Sequence, residues 1–304
     1  MARLVAIVGP TGVGKSRLAI RLAQTFGGEI VNADSRQVYR HMDIGTAKPS
    51  RQELSLIPHY LIDIIDPDGG FSLNQYQHLA YKAIDDIQQR NRLPLLVGGS
   101  GLYVWSVLEG WQVPEVPPDA QLRQSMESKA AELGREALYE DLVKVDPVAA
   151  KNIDPRNVRR VIRALEVHKH TGTPYSQLQQ RQAPPYEILI LGLTTERTEL
   201  YRRIDSRVNR MVEHDLVNEV QKLMDMGYDL SLPSMSGIGY RQIGMFLKGE
   251  LTLDTAIQQI KTETHRFVRH QYSWFRLKDD RIRWFDIQYQ IEPEITAVVT
   301  VFTS

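Results

Sequence analysis

Short apolar runs punctuate the chain, and stretches of helical periodicity separate most of them. The run Leu4–Val8, "LVAIV", is continuous and rich in branched residues. Such a run predicts a strand buried on both faces. Further strands are expected at Glu29–Ala33, at Tyr60–Ile65 in "PHYLIDIIDP", at Leu95–Val97, at Glu187–Leu193 in "YEILILGLT" and late in "RIRWFD". Leu18, Ala19, Leu22 and Ala23 follow the first run at helical spacing. Strands alternating with helices imply an α/β fold with a doubly wound parallel sheet, whose ligands bind beyond the carboxyl ends of the strands. One region departs from this alternation. From Asp119 to about Thr173 only helical periodicity appears, entered through the proline-rich "WQVPEVPPD" and closed by "HTGTPYS". It reads as an all-helical insertion over residues 114–173, with residues 1–113 and 174–304 forming the core. Within it, Asp146-Pro147 and Asp154-Pro155 each read as an N-cap followed by proline at the first helical position.

The loop after the first run changes the picture from architecture to chemistry. Gly9, Pro10, Thr11, Gly12, Val13, Gly14, Lys15 and Ser16 fit G-x-x-x-x-G-K-[ST] in full, between a strand and a helix as the motif requires. Glycines let successive N–H groups face one anion, and the helix N-terminus adds partial positive charge. Lys15 supplies a mobile cation, and the Ser16 hydroxyl can ligate Mg²⁺. The predicted fold is therefore P-loop NTPase-like. The loop alone leaves open whether its ligand is a nucleoside triphosphate or an organic diphosphate. Asp34 and Ser100 also follow strand ends, so their loops should converge with Gly14 on one crevice. The stretch "DSRQVYRHMDIGTAKP" neither alternates nor repeats like a buried face. Asp34, placed at that crevice, is a candidate catalytic base.

Charge and composition narrow the partners. The 304 residues hold 37 Lys and Arg against 37 Asp and Glu, and no cysteine. Disulfides and thiolate metal sites are excluded. No apolar run approaches the ~20 residues that span a bilayer, and "RLVAIVGP" reads as structure rather than as a leader, so a soluble cytoplasmic protein is expected. Zero net charge argues against blanket nucleic-acid coating and leaves room only for local basic patches. Three helical segments offer them. Arg156, Arg160 and Arg163 share one face of "DPRNVRRVIRALEVHKHTG". In "TETHRFVRHQYSWFR", Phe267, Gln271 and Trp274 continue a face begun by Ile260, while Arg266, Arg269, Ser273 and Arg276 mark another, with His265 and His270 interleaved. Arg203, Arg207 and Arg210 line a helix after the fifth strand. Phosphate clamping and base stacking suit such residues. Solvated faces paired with nearby acids fit the same spacing.

Taken together, "GPTGVGKS", "ADSRQVY", "MDIGTAKP", "PLLVGGSGLY", "RALEV", "DPVAA", "SGIGYRQ" and "RHQYSWFR" closely resemble the bacterial tRNA dimethylallyltransferases, in the expected order over nearly the whole chain. The resemblance implies transfer of a dimethylallyl group from dimethylallyl diphosphate to the exocyclic N6 amine of the adenosine 3′ to the anticodon, with Mg²⁺ as cofactor and a monomer as the working form. It implies Asp34 as general base, the P-loop as holder of the diphosphate, Arg207 as its clamp and Ser100 beside the reaction. The tRNA contacts it implies fall on Asp34, Ser35, Arg36 and Gln37; on Ser100 and Arg123; on Arg159, Arg160 and Arg163; on Gly239, Tyr240 and Arg241 within Ser236–Arg241; and on His265, Arg266, Arg269, His270 and Gln271 within His265–Tyr272. Ser100 replaces the family's usual threonine, Asp215 a common glycine, and His265 and His270 frequent arginines; the zinc-finger extension of eukaryotic relatives is missing. A small-molecule or nucleotide kinase is the alternative, with Asp63 or Asp66 of "YLIDIID" as a metal ligand.

Overall fold

The computed structural model describes residues 2–178 and 180–304. Leu4 to Val8 have no exposed surface because β1 (Ala2–Val8) runs through the interior of the sheet. β1 pairs with β4 (Leu93–Val97) on one side and β5 (Tyr186–Thr194) on the other. β2 (Gly28–Asn32) lies beyond β4, β3 (His59–Tyr60) beyond β2, and β6 (Ile282–Asp286) beyond β5. All pairs are parallel, in the order β3-β2-β4-β1-β5-β6. The architecture is the expected α/β, doubly wound arrangement. The loops leaving β1, β2 and β4 emerge at one edge of the sheet, where the order of strands reverses.

β1, β4 and β5 extend the expected runs by a residue or two, β2 is shifted by one residue, and β6 falls within its run. β3 departs furthest: it covers two residues, not Tyr60–Ile65. Leu61 and Asp63 adopt positive φ of 65° and 55°, which turns the chain out of the ladder. Only Ile65 returns, through an isolated parallel bridge to Tyr39.

The chain divides into two units. One holds the described residues through Leu108 together with Pro185–Ser304; the other is Glu109–Pro184. The second unit is wider than the expected 114–173. Its two chain crossings pair with each other, Gln182 N–H to Gly110 O and Gln112 N–H to Gln180 O, both at 2.8 Å. Helices Arg135–Val145 and Val158–Thr171 bury Leu138, Leu142, Val161 and Ile162 in a core of its own. Asp146 caps helix Pro147–Asn152 as expected, its Oδ1 accepting from Ala149 N–H at 2.9 Å. A cap of this kind contributes about 1 kcal/mol. The second expected cap is displaced. Asp154 folds back onto Arg156, and Asn157 caps the helix that starts at Val158.

Candidate active site

Within the larger unit, a cavity of about 1000 Å³ opens at the carboxyl edge of the sheet. Thr11, Gly12, Gly14, Lys15 and Ser16 line it from the loop after β1; Asp34, Ser35, Arg36 and Gln37 from the loop after β2; and Ser100 from the loop after β4. Arg207, on helix Arg197–Glu213, and Gly239 and Tyr240 complete the set that the sequence singled out. Gly9, Pro10 and Val13 do not line the cavity. Gly9 has φ 136°, and a Cβ there would collide with the Leu193 carbonyl, so this position keeps the loop against β5. Val13 is buried, and Pro10 offers its carbonyl to Lys15 Nζ at 2.7 Å.

The charges in this cavity are opposed. Burial pushes the Lys15 amine down to about 8; Asp34 counteracts this and Arg207 adds to it. Burial likewise lowers Arg207 below its ordinary value, again against the pull of Asp34. The two cations are thus poorly solvated, which favours an anion that both can meet. Arg207 also donates to Thr11 Oγ1 at 3.1 Å, so helix and P-loop are joined at that point.

Asp34 is framed by expected neighbours and by one residue, Asn32, that no motif reading marks. Asn32 is buried at the end of β2; its Oδ1 accepts from Asp34 N–H at 3.1 Å, and its Nδ2 donates to Leu61 O at 3.0 Å. A polar residue closing an apolar strand was the available signal. Asp34 Oδ1 accepts from Arg36 N–H at 2.8 Å, and Ser35 N–H donates to Ser100 Oγ at 2.9 Å. Arg36 itself reaches Pro233 O at 2.7 Å. Ile204, Val208, Ile238, Ile260 and Phe267 supply an apolar wall, of which only Ile238 lies in a motif stretch.

Several expected contact residues also make bonds within the protein. Gln271 is buried, with its Oε1 accepting from Thr11 N–H at 2.8 Å and its Nε2 donating to Gly99 O at 3.0 Å. Its side chain is a brace and has no surface for a nucleic acid. Tyr240 is also buried, and its hydroxyl donates to Glu219 at 2.6 Å. Phe267, expected on one helical face with Ile260 and Gln271, is 40% exposed, while Val268 beside it is buried. Arg241 pairs with Glu263. His265 meets Asp205 at 2.9 Å and stacks on Tyr201, whose hydroxyl accepts from Arg269 at 3.0 Å. Arg266 and His270 are exposed. Asp215, where glycine is usual, adopts φ 83° without disturbing the helix that follows it.

In the helical unit, Arg123 and Arg163 both bind the fully buried Glu166, through Oε2 at 2.7 and 2.6 Å. Both guanidinium groups are therefore held by this carboxylate while staying partly exposed, at 37% for Arg123 and 27% for Arg163. Arg159 and Arg160 remain exposed. Arg156 lies before the helix, paired with Asp154, so the expected three-arginine face is not formed.

The kinase reading loses its metal ligands. Asp63 pairs with the buried Lys48 amine and Asp66 with Arg40 at 3.0 Å, and neither lines the cavity.

Comparison with known proteins decides among phosphate-binding families. A family model described as IPP transferase matches residues 37–278. The chain belongs to the IPP transferase family. A tRNA dimethylallyltransferase of Dehalococcoides mccartyi is 50% identical to this transferase over 302 residues, 99% of this chain and 93% of the other. The solved full-length tRNA isopentenylpyrophosphate transferase of Bacillus halodurans superposes with a TM-score of 0.73 at 41% identity, over 100% of this chain and 96% of that one. A eukaryotic dimethylallyltransferase solved acting on tRNA gives a TM-score of 0.86 at 28% identity, over 100% of this chain and 80% of the other.

Proposed function

We propose that this transferase moves a dimethylallyl group from dimethylallyl diphosphate to the N6 amine of the adenosine 3′ to the anticodon in tRNA, acting as a cytoplasmic monomer. The observation that carries the reading is the meeting of Asp34, Lys15 and Arg207 in one cavity with an apolar wall. An adenine amine is a weak nucleophile because its lone pair is delocalised into the ring. Asp34 accepts the N6 proton as the new N6–C1 bond forms, a contribution of about 10²–10⁴-fold for a positioned base. The C1–O bond breaks, and its electron pair leaves with the diphosphate. Lys15, Arg207 and the loop N–H groups meet the charge that develops there. The five-carbon chain suits Ile204, Val208, Ile238 and Ile260. The base must be unstacked to enter.

The donor set also fits Mg²⁺. Among the described residues no cluster of three His, Cys, Asp or Glu exists to cage an ion. Mg²⁺ prefers one or two protein oxygens together with substrate phosphates and water. The exposed Ser16, beside the phosphate loop, supplies such an oxygen. When bound, the ion would neutralise charge on the leaving diphosphate.

Arg159 and Arg160, and exposed Arg266 and His270, remain the proposed tRNA contacts. Among the described residues no helix is long and apolar enough to cross a membrane. The test is one incubation of unmodified tRNA with dimethylallyl diphosphate and Mg²⁺, followed by nucleoside mass analysis. Adenosine carrying one added C₅H₈ is expected. Unmodified adenosine, or phosphate transfer from ATP in a parallel reaction, would overturn the reading.

A further inference from the structure

Glu219 belongs to none of the motif stretches, and its helix, Leu216–Asp225, looks like an ordinary amphipathic one that buries Leu216, Val220 and Leu223. Its carboxylate nevertheless gathers the N–H groups of three successive residues. Oε2 accepts from Asp43 at 3.0 Å and Ile44 at 2.7 Å, and Oε1 from Gly45 at 3.1 Å. Oε1 also accepts from the Tyr240 hydroxyl at 2.6 Å. Successive N–H groups pointing at one spot form an anion-binding concavity. Here the protein's own carboxylate fills it.

Two walls of the catalytic cavity hang on this one group. Gly45, Thr46 and Ala47 line the cavity on one side, and Gly239 and Tyr240 on another. Gly45 lies flat against the Tyr240 ring, where a Cβ would stand 2.5 Å from the aromatic carbons. Thr46 O and Ala47 O both accept from Gln37 Nε2 at 3.1 Å, and Gln37 lies three residues after Asp34. A continuous series of hydrogen bonds therefore runs from Glu219 through the 43–47 segment to the loop that carries the base.

We propose that Glu219 is a positioning residue for prenyl transfer. It holds the 43–47 segment and the Tyr240 wall in register, so that the acceptor nucleobase meets Asp34. The proposal rests on the reading of this cavity as the acceptor site. It also accounts for two motif stretches, "MDIGTAKP" and "SGIGYRQ", as the two halves of one lock. A second anchor keeps the segment folded without Glu219. The buried Lys48 amine binds Asp43 at 2.6 Å, Tyr39 O at 2.6 Å and Asp63.

The test compares Glu219→Gln, Glu219→Ala and Tyr240→Phe in the full chain. Glu219→Ala should lower kcat/KM for tRNA by about tenfold or more, as misplacement near a reacting atom does. Glu219→Gln, which keeps one carbonyl acceptor, should fall between it and wild type. Affinity for dimethylallyl diphosphate, measured by calorimetry without tRNA, should stay within about twofold, because Lys15 and Arg207 are untouched. Amide exchange at residues 43–45 should accelerate in Glu219→Ala. The double variant Glu219→Gln/Tyr240→Phe should lose less than the sum of the single losses, as contacting partners do. Unchanged turnover and exchange in Glu219→Ala would overturn the proposal. So would equal loss of donor and tRNA affinity in Glu219→Gln. Failure of the proposed reaction would look different: wild type would form no prenylated adenosine, while the exchange and calorimetric readouts would still report on the lock.

Discussion

Thr11 and Gln271 stand 260 positions apart, and the Thr11 N–H donates to Gln271 Oε1 at 2.8 Å. The other end of the same amide donates to Gly99 O at 3.0 Å, so one buried side chain couples the phosphate loop to the turn after β4. Gln271→Leu would strand a buried carbonyl, at about 1–3 kcal/mol, and release a partly buried N–H toward the cavity. Thermal unfolding should drop by several degrees, and donor binding should weaken as the P-loop loosens. Gln271→Glu, which accepts from Thr11 but cannot donate to Gly99, should still be destabilised. Melting curves that overlay wild type would remove the brace from the account.

Asp34→Asn keeps the size of the side chain and an oxygen that can accept from Arg36 N–H. It should leave tRNA affinity nearly intact and lower turnover by about 10²–10⁴-fold. Single-turnover kinetics with saturating donor would measure this. A variant as fast as wild type would dismiss Asp34 as the base.

Lys15 gives a pH dependence with a defined sign. Its folded value of about 8 lies below the ordinary lysine value of 10.5. The folded protein therefore holds this proton less tightly than the unfolded chain does. The buried charge costs stability fully below pH 8, and that cost is relieved as pH rises from 8 toward 10.5. Donor binding runs the opposite way, because the ammonium is the form that meets the diphosphate. Donor Kd should rise above about pH 8, and Lys15→Arg, which stays charged, should flatten that limb. A flat wild-type profile would contradict the role given to Lys15.

The helical unit separates two kinds of arginine. Arg160→Ala should weaken tRNA binding and reduce the salt slope by about one. Binding measured at several salt concentrations decides the point; an unaltered slope would make Arg160 a solvated residue. Arg163→Ala should act on folding, because it leaves Glu166 short of a partner. The loss should stay below the roughly 3–5 kcal/mol of an uncompensated buried charge, because Arg123 still binds Glu166.

Glu166 also carries an acid limit. Burial alone would raise its carboxyl, but Arg123, the Asp119 N–H and Arg163 overcome this and hold it at about 2. A depressed carboxyl stabilises the fold above its unfolded value and loses that contribution as pH falls toward 2. Melting of the isolated Glu166→Gln effect should therefore be large at pH 7 and shrink on acidification.

How far the sequence could be read differs by element. The buried runs of β1 and β4 are plain because a parallel strand covered on both faces has no polar positions to confuse it, and β5 shares this from Ile190 to Leu193. Asp34, Lys15 and Ser100 were placed correctly because loops after parallel strands share one edge. β3 was misjudged because nothing in "YLIDIID" marks Leu61 and Asp63 for positive φ. Asp154 was a plausible cap, yet Asn157 stood close enough to compete for the same helix start. The helical face through Ile260, Phe267, Gln271 and Trp274 is buried at Ile260 and Gln271, while Val268 rather than Phe267 is buried between them, a difference that spacing alone does not resolve. Glu219 and Gln271 were hidden for a common reason. Most of their partners are backbone groups far away in the chain, and backbone partners leave no trace in residue identity.

The paired crossings at Gly110 and Gln182 have an evolutionary corollary. Because the segment between them starts and stops at hydrogen-bonded neighbours, its length can change without altering the span that the sheet must bridge. Such an arrangement lets a lineage enlarge, trim or exchange its helical appendage while the prenyl chemistry stays as it was.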